Sequence, residues 1–172
     1  MALLPIRIYP DPVLREECPE VEVFDDALRN LVDDMVATMY AAPGVGLAAP
    51  QVGERMRVVV VDVSVGEEEG ELLVLVNPEI VEQVGTEVEV EGCLSIPGFT
   101  EKVERADRIR VRAQDLAGEP FELETDGWEA RAILHEVDHL DGVLFVDRLR
   151  GLKKERARRF LRKLREEQEV PA

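Results

Sequence analysis

Residues 126–142 read DGWEARAILHEVDHLDG, and the fold is read outward from this stretch. Trp128, Ala132, Ile133, Leu134, Val137 and Leu140 predict a helix from about Asp126 to His139, apolar enough to run buried through the centre. Gly142 lies just beyond its end, where a helix stop belongs. Both histidines of the chain, His135 and His139, sit four residues apart within it. At 3.6 residues per turn they share one face, so their imidazoles can converge on one metal ion. Glu136 follows the first of them and can lie beside a metal-bound water without being a ligand itself. The plainer alternative is a pair of packed or surface histidines beside an ordinary helical glutamate.

Elsewhere, Asp25 to Ala41 places Leu28, Leu31, Val32, Met35, Val36 and Met39 on one helical face, with acids at its start and Pro43-Gly44 at its end. GVGLAAPQVG at 44–53 reads as a small-residue loop, followed by a strand-like MRVVVVDV at 56–63. GEEEGE at 66–71 is a solvated turn. Segments 71–77, 80–90, 101–105, 107–114 and 120–124 are rich in Val, Leu and Ile with partial alternation. Their short connections favour antiparallel pairing. A third helix is expected from about Arg150, with Leu149, Leu152, Phe160, Leu161 and Leu164 as a docking stripe. The expected fold class is α+β: antiparallel β-sheets around a buried central metal-binding helix, with one helix near each chain end. No linker or repeat divides the chain, so residues 1–172 are expected to form a single domain, with 150–172 as a basic C-terminal helix.

The chain has 172 residues, 45% of them hydrophobic and 34% charged, which is globular rather than disordered composition. The longest apolar run is far shorter than the roughly 20 residues a bilayer span requires. The N-terminus lacks the basic and apolar regions of a secretory signal, and two cysteines make no disulfide framework. The expectation is a cytoplasmic protein with reduced thiols and no membrane partner.

Charge is unevenly placed. The formal net charge is −16, yet Arg148 to Arg165 holds ten basic residues and a single acid, Glu155. Such asymmetry marks either a polyanion contact or a solvated helix that balances an acidic body.

Two imidazoles need at least one more ligand to make a catalytic centre with an open position. Cys93 is the candidate, set in EGCLSIPG at 91–98, where Gly92 permits close backbone approach and Pro97-Gly98 turns the chain. The alternative for Cys93 is a small buried hydrophobe. Cys18 lies among Glu16, Glu17 and Glu20 and is assigned no role. The loop at 44–51 exposes backbone amides and ends in Gln51, a neutral donor, with the wrong spacing for a phosphate loop.

Together GVGLAAPQ, EGCLS and HEVDH, in that order over residues 44–139, resemble bacterial-type peptide deformylase. YPDPVLR at 9–15 and HLDGVLFVDRL at 139–149 extend the resemblance over nearly the whole chain, with no departure at a motif position. The resemblance implies that Cys93, His135 and His139 bind the metal and that Gln51, Leu94 and Glu136 serve catalysis. A metal-bound water would attack the formyl carbon of a formyl-methionyl nascent peptide, with Glu136 taking its proton and passing it to the departing amine. Gln51 and the Leu94 N–H would stabilise the oxyanion. Products would be formate and a free N-terminal Met.

Specificity is expected from an apolar pocket for the Met side chain. Trp128, Arg131 and Ala132 lie seven, four and three positions before His135 and are its expected lining, Arg131 with its stem along the wall and its charge in water. The alternative for Trp128 is the core. Val45 and Gly46 would run antiparallel to the substrate backbone. Asp138, an acid within a buried helix, needs a partner, for which Arg105 is the candidate; the alternative is that Asp138 meets solvent. The resemblance implies Fe2+ as the ion in the cell, with Zn2+, Ni2+ or Co2+ able to occupy the site, and an rRNA contact on the ribosome through the basic tail. Two rival readings remain: a zinc endopeptidase, which would not need GVGLAAPQ or EGCLS, and a nucleic-acid-binding module with a structural metal, which would want a fourth ligand.

Overall fold

The computed structural model describes residues 1–169, so the last three residues of the expected tail helix lie outside the described residues. Asp25 accepts from Leu28 N at 3.1 Å and caps helix α1, Asp26–Ala41. Leu28, Val32, Met35 and Met39 form its buried stripe, as their spacing requires.

The stretch read as a loop after α1 contains a short strand, β1 (Gly46–Ala48), and a 3-10 turn, Ala49–Val52. Its small residues serve burial, for Leu47, Ala48 and Ala49 are all fully enclosed. Strand β2 (Val58–Val61) pairs antiparallel with β1 and with β3 (Leu73–Val84). All four valines of β2 are buried because the sheet is covered on both faces. Val58 and Val60 pack in the cluster containing α1, and Val59 and Val61 in the one containing the second helix.

Two strands were expected at 71–77 and 80–90, but β3 runs through Pro78 and the chain turns at Gly85 instead. The register of β3 shifts between Val76 and Glu79, the kind of irregularity that accommodates a proline within a sheet. Strands β4 (Glu87–Cys93) and β5 (Ile96–Arg105) form a separate two-stranded sheet. Leu94 and Ser95 are the turn between them. Strands β6 (Arg108–Gln114) and β7 (Pro120–Asp126) complete the five-stranded antiparallel sheet, ordered β1-β2-β3-β6-β7.

Helix α2 (Gly127–Leu140) buries Ala130, Ile133, Val137 and Leu140 against this sheet. It stops at Gly142, whose φ of 73° suits glycine. A Cβ there would lie 2.6 Å from the Arg15 carbonyl oxygen, so the N-terminal segment packs on α2 through the same glycine.

Helix α3 (Gly151–Glu169) buries Ala157 and Leu164, and Phe160 stacks on Phe99 with ring centroids 5.2 Å apart. Leu152, expected in the docking stripe, is 78% exposed because the first turn of α3 stands at the rim of a polar cavity, beside Lys153 and Arg150. No helix among the described residues is long and apolar enough to cross a membrane. The architecture is the expected α+β arrangement of antiparallel sheets and three helices, with α2 buried between them.

Candidate metal centre

Helix α2 and the end of β4 bring three potential ligands together. One ligand atom from each of Cys93, His135 and His139 lies within 4.8 Å of the other two. Cys93 Sγ is 3.4 Å from His139 Nε2. His135 Nδ1 lies 2.9 Å from Glu91 Oε1. With Nδ1–H donating there, Nε2 keeps its lone pair for a metal. The ring of Phe145 stacks 5.9 Å from that of His135.

The fit to a cation can be tested on the side chains themselves. One thiolate and two imidazoles are the donor set of a first-row transition ion. Glu136 Oε1 and His139 Nδ1 are buried without a hydrogen-bond partner among the described residues, and Glu136 Oε1 is 3.9 Å from His139 Nε2. An unpartnered buried carboxylate oxygen beside a thiolate and two imidazoles fits a centre built to hold a cation and its ligands. Burial pushes the Glu136 carboxyl up to about 7. Burial likewise lowers His139. Burial also acts to lower His135, but its contacts with Cys93 and Glu91 outweigh that and hold it above its ordinary value.

Gln51 reaches the cluster from the 3-10 turn, with Nε2 3.6 Å from Cys93 Sγ. Leu94 follows Cys93 in the β4–β5 turn and lines the same cavity. That cavity holds about 810 Å3, and Val45, Gly46, Trp128, Arg131 and Ala132 all contribute to its walls. Trp128 is 58% exposed, which removes the core alternative and puts it at the rim. Among the described residues, strand β1 pairs with β2 on one side and has no strand on the other, so an extended chain can lie along it.

Arg131 departs from expectation. Its charge is not in water: the side chain is 5% exposed, and Nη1 donates to Glu91 Oε2 at 2.6 Å and Val103 O at 2.9 Å, while Nη2 donates to Glu87 O. Sequence reading did not find the reason, which is Glu91. This buried carboxylate also receives Nε and Nη2 of Arg105 at 2.8 and 2.9 Å, and these contacts drive its pKa well down although burial alone would raise it. Arg105 in turn donates from Nη1 to Asp138 at 2.7 Å, the expected partnership, and Arg148 joins from the surface. The presence of Glu91 within EGCLS was the available signal.

The fold and the site together define a class: an α+β protein whose buried helix joins a hairpin cysteine to form a Cys-His-His cluster. A family profile described as polypeptide deformylase matches residues 3–155. Over 166 residues the chain is 56% identical to a peptide deformylase of Alkalilimnicola ehrlichii, covering 95% of this chain and 92% of that one. It is 54% identical to that of Chromobacterium violaceum, covering 99% and 100%. The crystal structure of a peptide deformylase from Legionella pneumophila superimposes with a TM-score of 0.88 at 45% identity, covering 99% of this chain and 100% of that one. The chain belongs to the peptide deformylase family. Its activity is the metal-dependent hydrolysis that removes the formyl group from the N-terminus of nascent peptides.

Proposed function

We propose that Cys93, His135 and His139 hold one divalent ion and that Glu136, Gln51 and the Leu94 N–H perform deformylation around it. The convergence of the three ligand atoms to within 4.8 Å, with buried Glu136 beside them, carries this reading. An ion held there supplies Lewis acidity, activating water at neutral pH and polarising the formyl oxygen. Glu136 takes the proton released as water attacks the formyl carbon and delivers it to the amine nitrogen as the C–N bond breaks. One carboxylate can reach both positions, so a single residue serves as base and then acid. Gln51 Nε2 and the Leu94 N–H donate to the oxygen on which charge develops, each such donor being worth ~3 kcal/mol in the transition state.

The Met side chain of the substrate enters the cavity between Trp128, Arg131 and Ala132, while its backbone runs antiparallel to Val45 and Gly46 along the free edge of β1. The ion in the cell is Fe2+ by resemblance to the family, with Zn2+, Ni2+ or Co2+ able to take its place. Oxidation of the Cys93 thiolate is then the route by which activity is lost in air. Residues 1–172 act as one catalytic domain in the cytoplasm, where nascent chains are made. The outward cations of α3, among them Arg159, Arg162 and Lys163, lack ion-pair partners among the described residues and suit contact with ribosomal RNA.

The test is formate release from formyl-Met-Ala-Ser by protein loaded anaerobically with Fe2+, alongside Glu136→Gln. Rapid release that is abolished in the variant is expected. No release from the metal-replete parent would overturn the assignment of these residues.

A further inference from the structure

The side-chain amide of Gln51 carries an acceptor oxygen at one end and a donor nitrogen at the other. Turned by half a rotation, it would offer an acceptor where it now offers a donor. Ala48 N–H donates to Gln51 Oε1 at 3.0 Å, and Gln51 Nε2 donates to Ser95 Oγ at 3.2 Å. With one N–H of Nε2 taken by Ser95, the other faces Cys93 Sγ at the ligand cluster. Gln51 and Ser95 are 1% and 0% exposed, so bulk water offers neither an alternative partner. The turns carrying them are also strapped from behind. Arg7 N donates to Gln51 O at 2.7 Å, and Tyr9 N to Ser95 O at 2.9 Å.

We infer that Ser95 is a positioning residue for deformylation: its hydroxyl accepts one N–H of Gln51 and thereby turns the other toward the ligand cluster, beside which the formyl oxygen binds in the proposed reaction. Residues 7–9 hold the two turns at the spacing this requires. The inference rests on the reading of Gln51 as an oxyanion donor. The amide must be aimed before substrate arrives, because a donor that has to reorient during the reaction loses much of its value. Without the hydroxyl, Gln51 would have a buried N–H with no acceptor and would turn toward whatever else it could reach.

The experiment compares kcat, KM, metal per chain and unfolding midpoint for the parent, Ser95→Ala, Gln51→Met and the double variant on formyl-Met-Ala-Ser. Ser95→Ala is expected to lower kcat ~10-fold or more, as small misplacements of a reacting group do, with KM within ~2-fold and metal content unchanged. In the Gln51→Met background the same change should alter kcat by less than ~2-fold, because no amide remains to be aimed. A Ser95→Ala protein with parental kcat overturns the inference, as do independent losses in the double variant. A Ser95→Ala protein that loses metal or folding also overturns it, since the hydroxyl is then structural. Parental kcat in Gln51→Met would instead remove the oxyanion reading first, and the role of Ser95 with it.

Discussion

The absence of a side chain at Gly46 leaves room for the carboxylate of Glu136. A Cβ at that position would lie 2.6 Å from Glu136 Oε2 and 2.9 Å from its Cγ, so Gly46→Ala must push the proposed general base off its place. The expected outcome is a loss of about 10²-fold in kcat with the metal retained, read from steady-state kinetics and metal analysis of the same sample. Asp62, 1% exposed, is a different kind of residue, structural and distant in role. It accepts from Tyr40 O–H at 2.6 Å, from Ser64 Oγ and N, and from Gly66 N. Burial would raise its pKa, but the bonds from Ser64 and Tyr40 prevail and hold it below its ordinary 3.8, while Tyr40 is pushed up to about 12 by its own burial and by Asp62. Between the folded and unfolded values the unfolded chain binds more protons, so stability rises with pH there. The contribution is fully present above about pH 4 and is lost as pH falls through the lowered folded value. Asp62→Asn should therefore cost about 2 kcal/mol at pH 7 and progressively less below pH 4, measured by urea unfolding at equal metal content.

At the scale of elements, β4 reverses the usual alternation. Val88 and Val90 are about half exposed, while Glu91 faces inward at 6%. Apolar patterning alone would have placed the valines inside. The reversal has a cause: Glu91 joins β4 to β5 through Arg105 and to α2 through Arg131 and His135, so a single carboxylate fixes the hairpin carrying Cys93 relative to the helix carrying the histidines. Glu91→Ala would leave the Arg131 guanidinium, 5% exposed, with carbonyl acceptors but no carboxylate, and Arg105, 4% exposed, with Asp138 as its sole carboxylate among the described residues. A destabilisation of about 3–5 kcal/mol is expected, together with weaker metal retention. Denaturant unfolding of the metal-replete variant checks the first and dialysis followed by metal analysis the second; a change under ~1 kcal/mol would refute this account of the hairpin. Asp138→Asn breaks the outer end of the same chain, at Arg105 and Arg148, and should weaken metal retention while leaving the fold intact. Metal stoichiometry after dialysis checks it, and parental stoichiometry and activity would count against it.

For the whole molecule, a metal held by the proposed ligands would be both cofactor and brace, because Cys93 ends β4 and His135 and His139 lie on α2. An ion that binds the folded chain and not the unfolded one adds about 4 kcal/mol at a thousandfold excess over its dissociation constant. Chelation should accordingly lower the thermal midpoint by many degrees, with recovery on restoring the ion. The charge asymmetry belongs to this scale too. Replacing Arg159, Arg162 and Lys163 by Glu leaves Ala157, Phe160 and Leu164 to dock α3, so formate release should be unchanged. Co-sedimentation with ribosomes at low salt should fall, and the parental binding should weaken steeply as salt rises.

Local information was enough for the helix periods, the antiparallel sheets, the spacing of His135 and His139 and the three motifs, because each depends on residues within a turn or a strand of one another. Asp138 could be matched with Arg105 because an acid on a buried helix demands a partner. The inward turn of Glu91, the burial of the Arg131 charge, the exposure of Trp128 and Leu152, and the break at Gly85 rather than before Ile80 were decided by the tertiary structure. So was the aim of Gln51, which depends on Ser95, 44 positions away. Sequence patterns report which residues prefer to be buried or to repeat along an element. Which polar groups must share one low-dielectric space, and so satisfy one another, is settled only when distant strands and helices close around them.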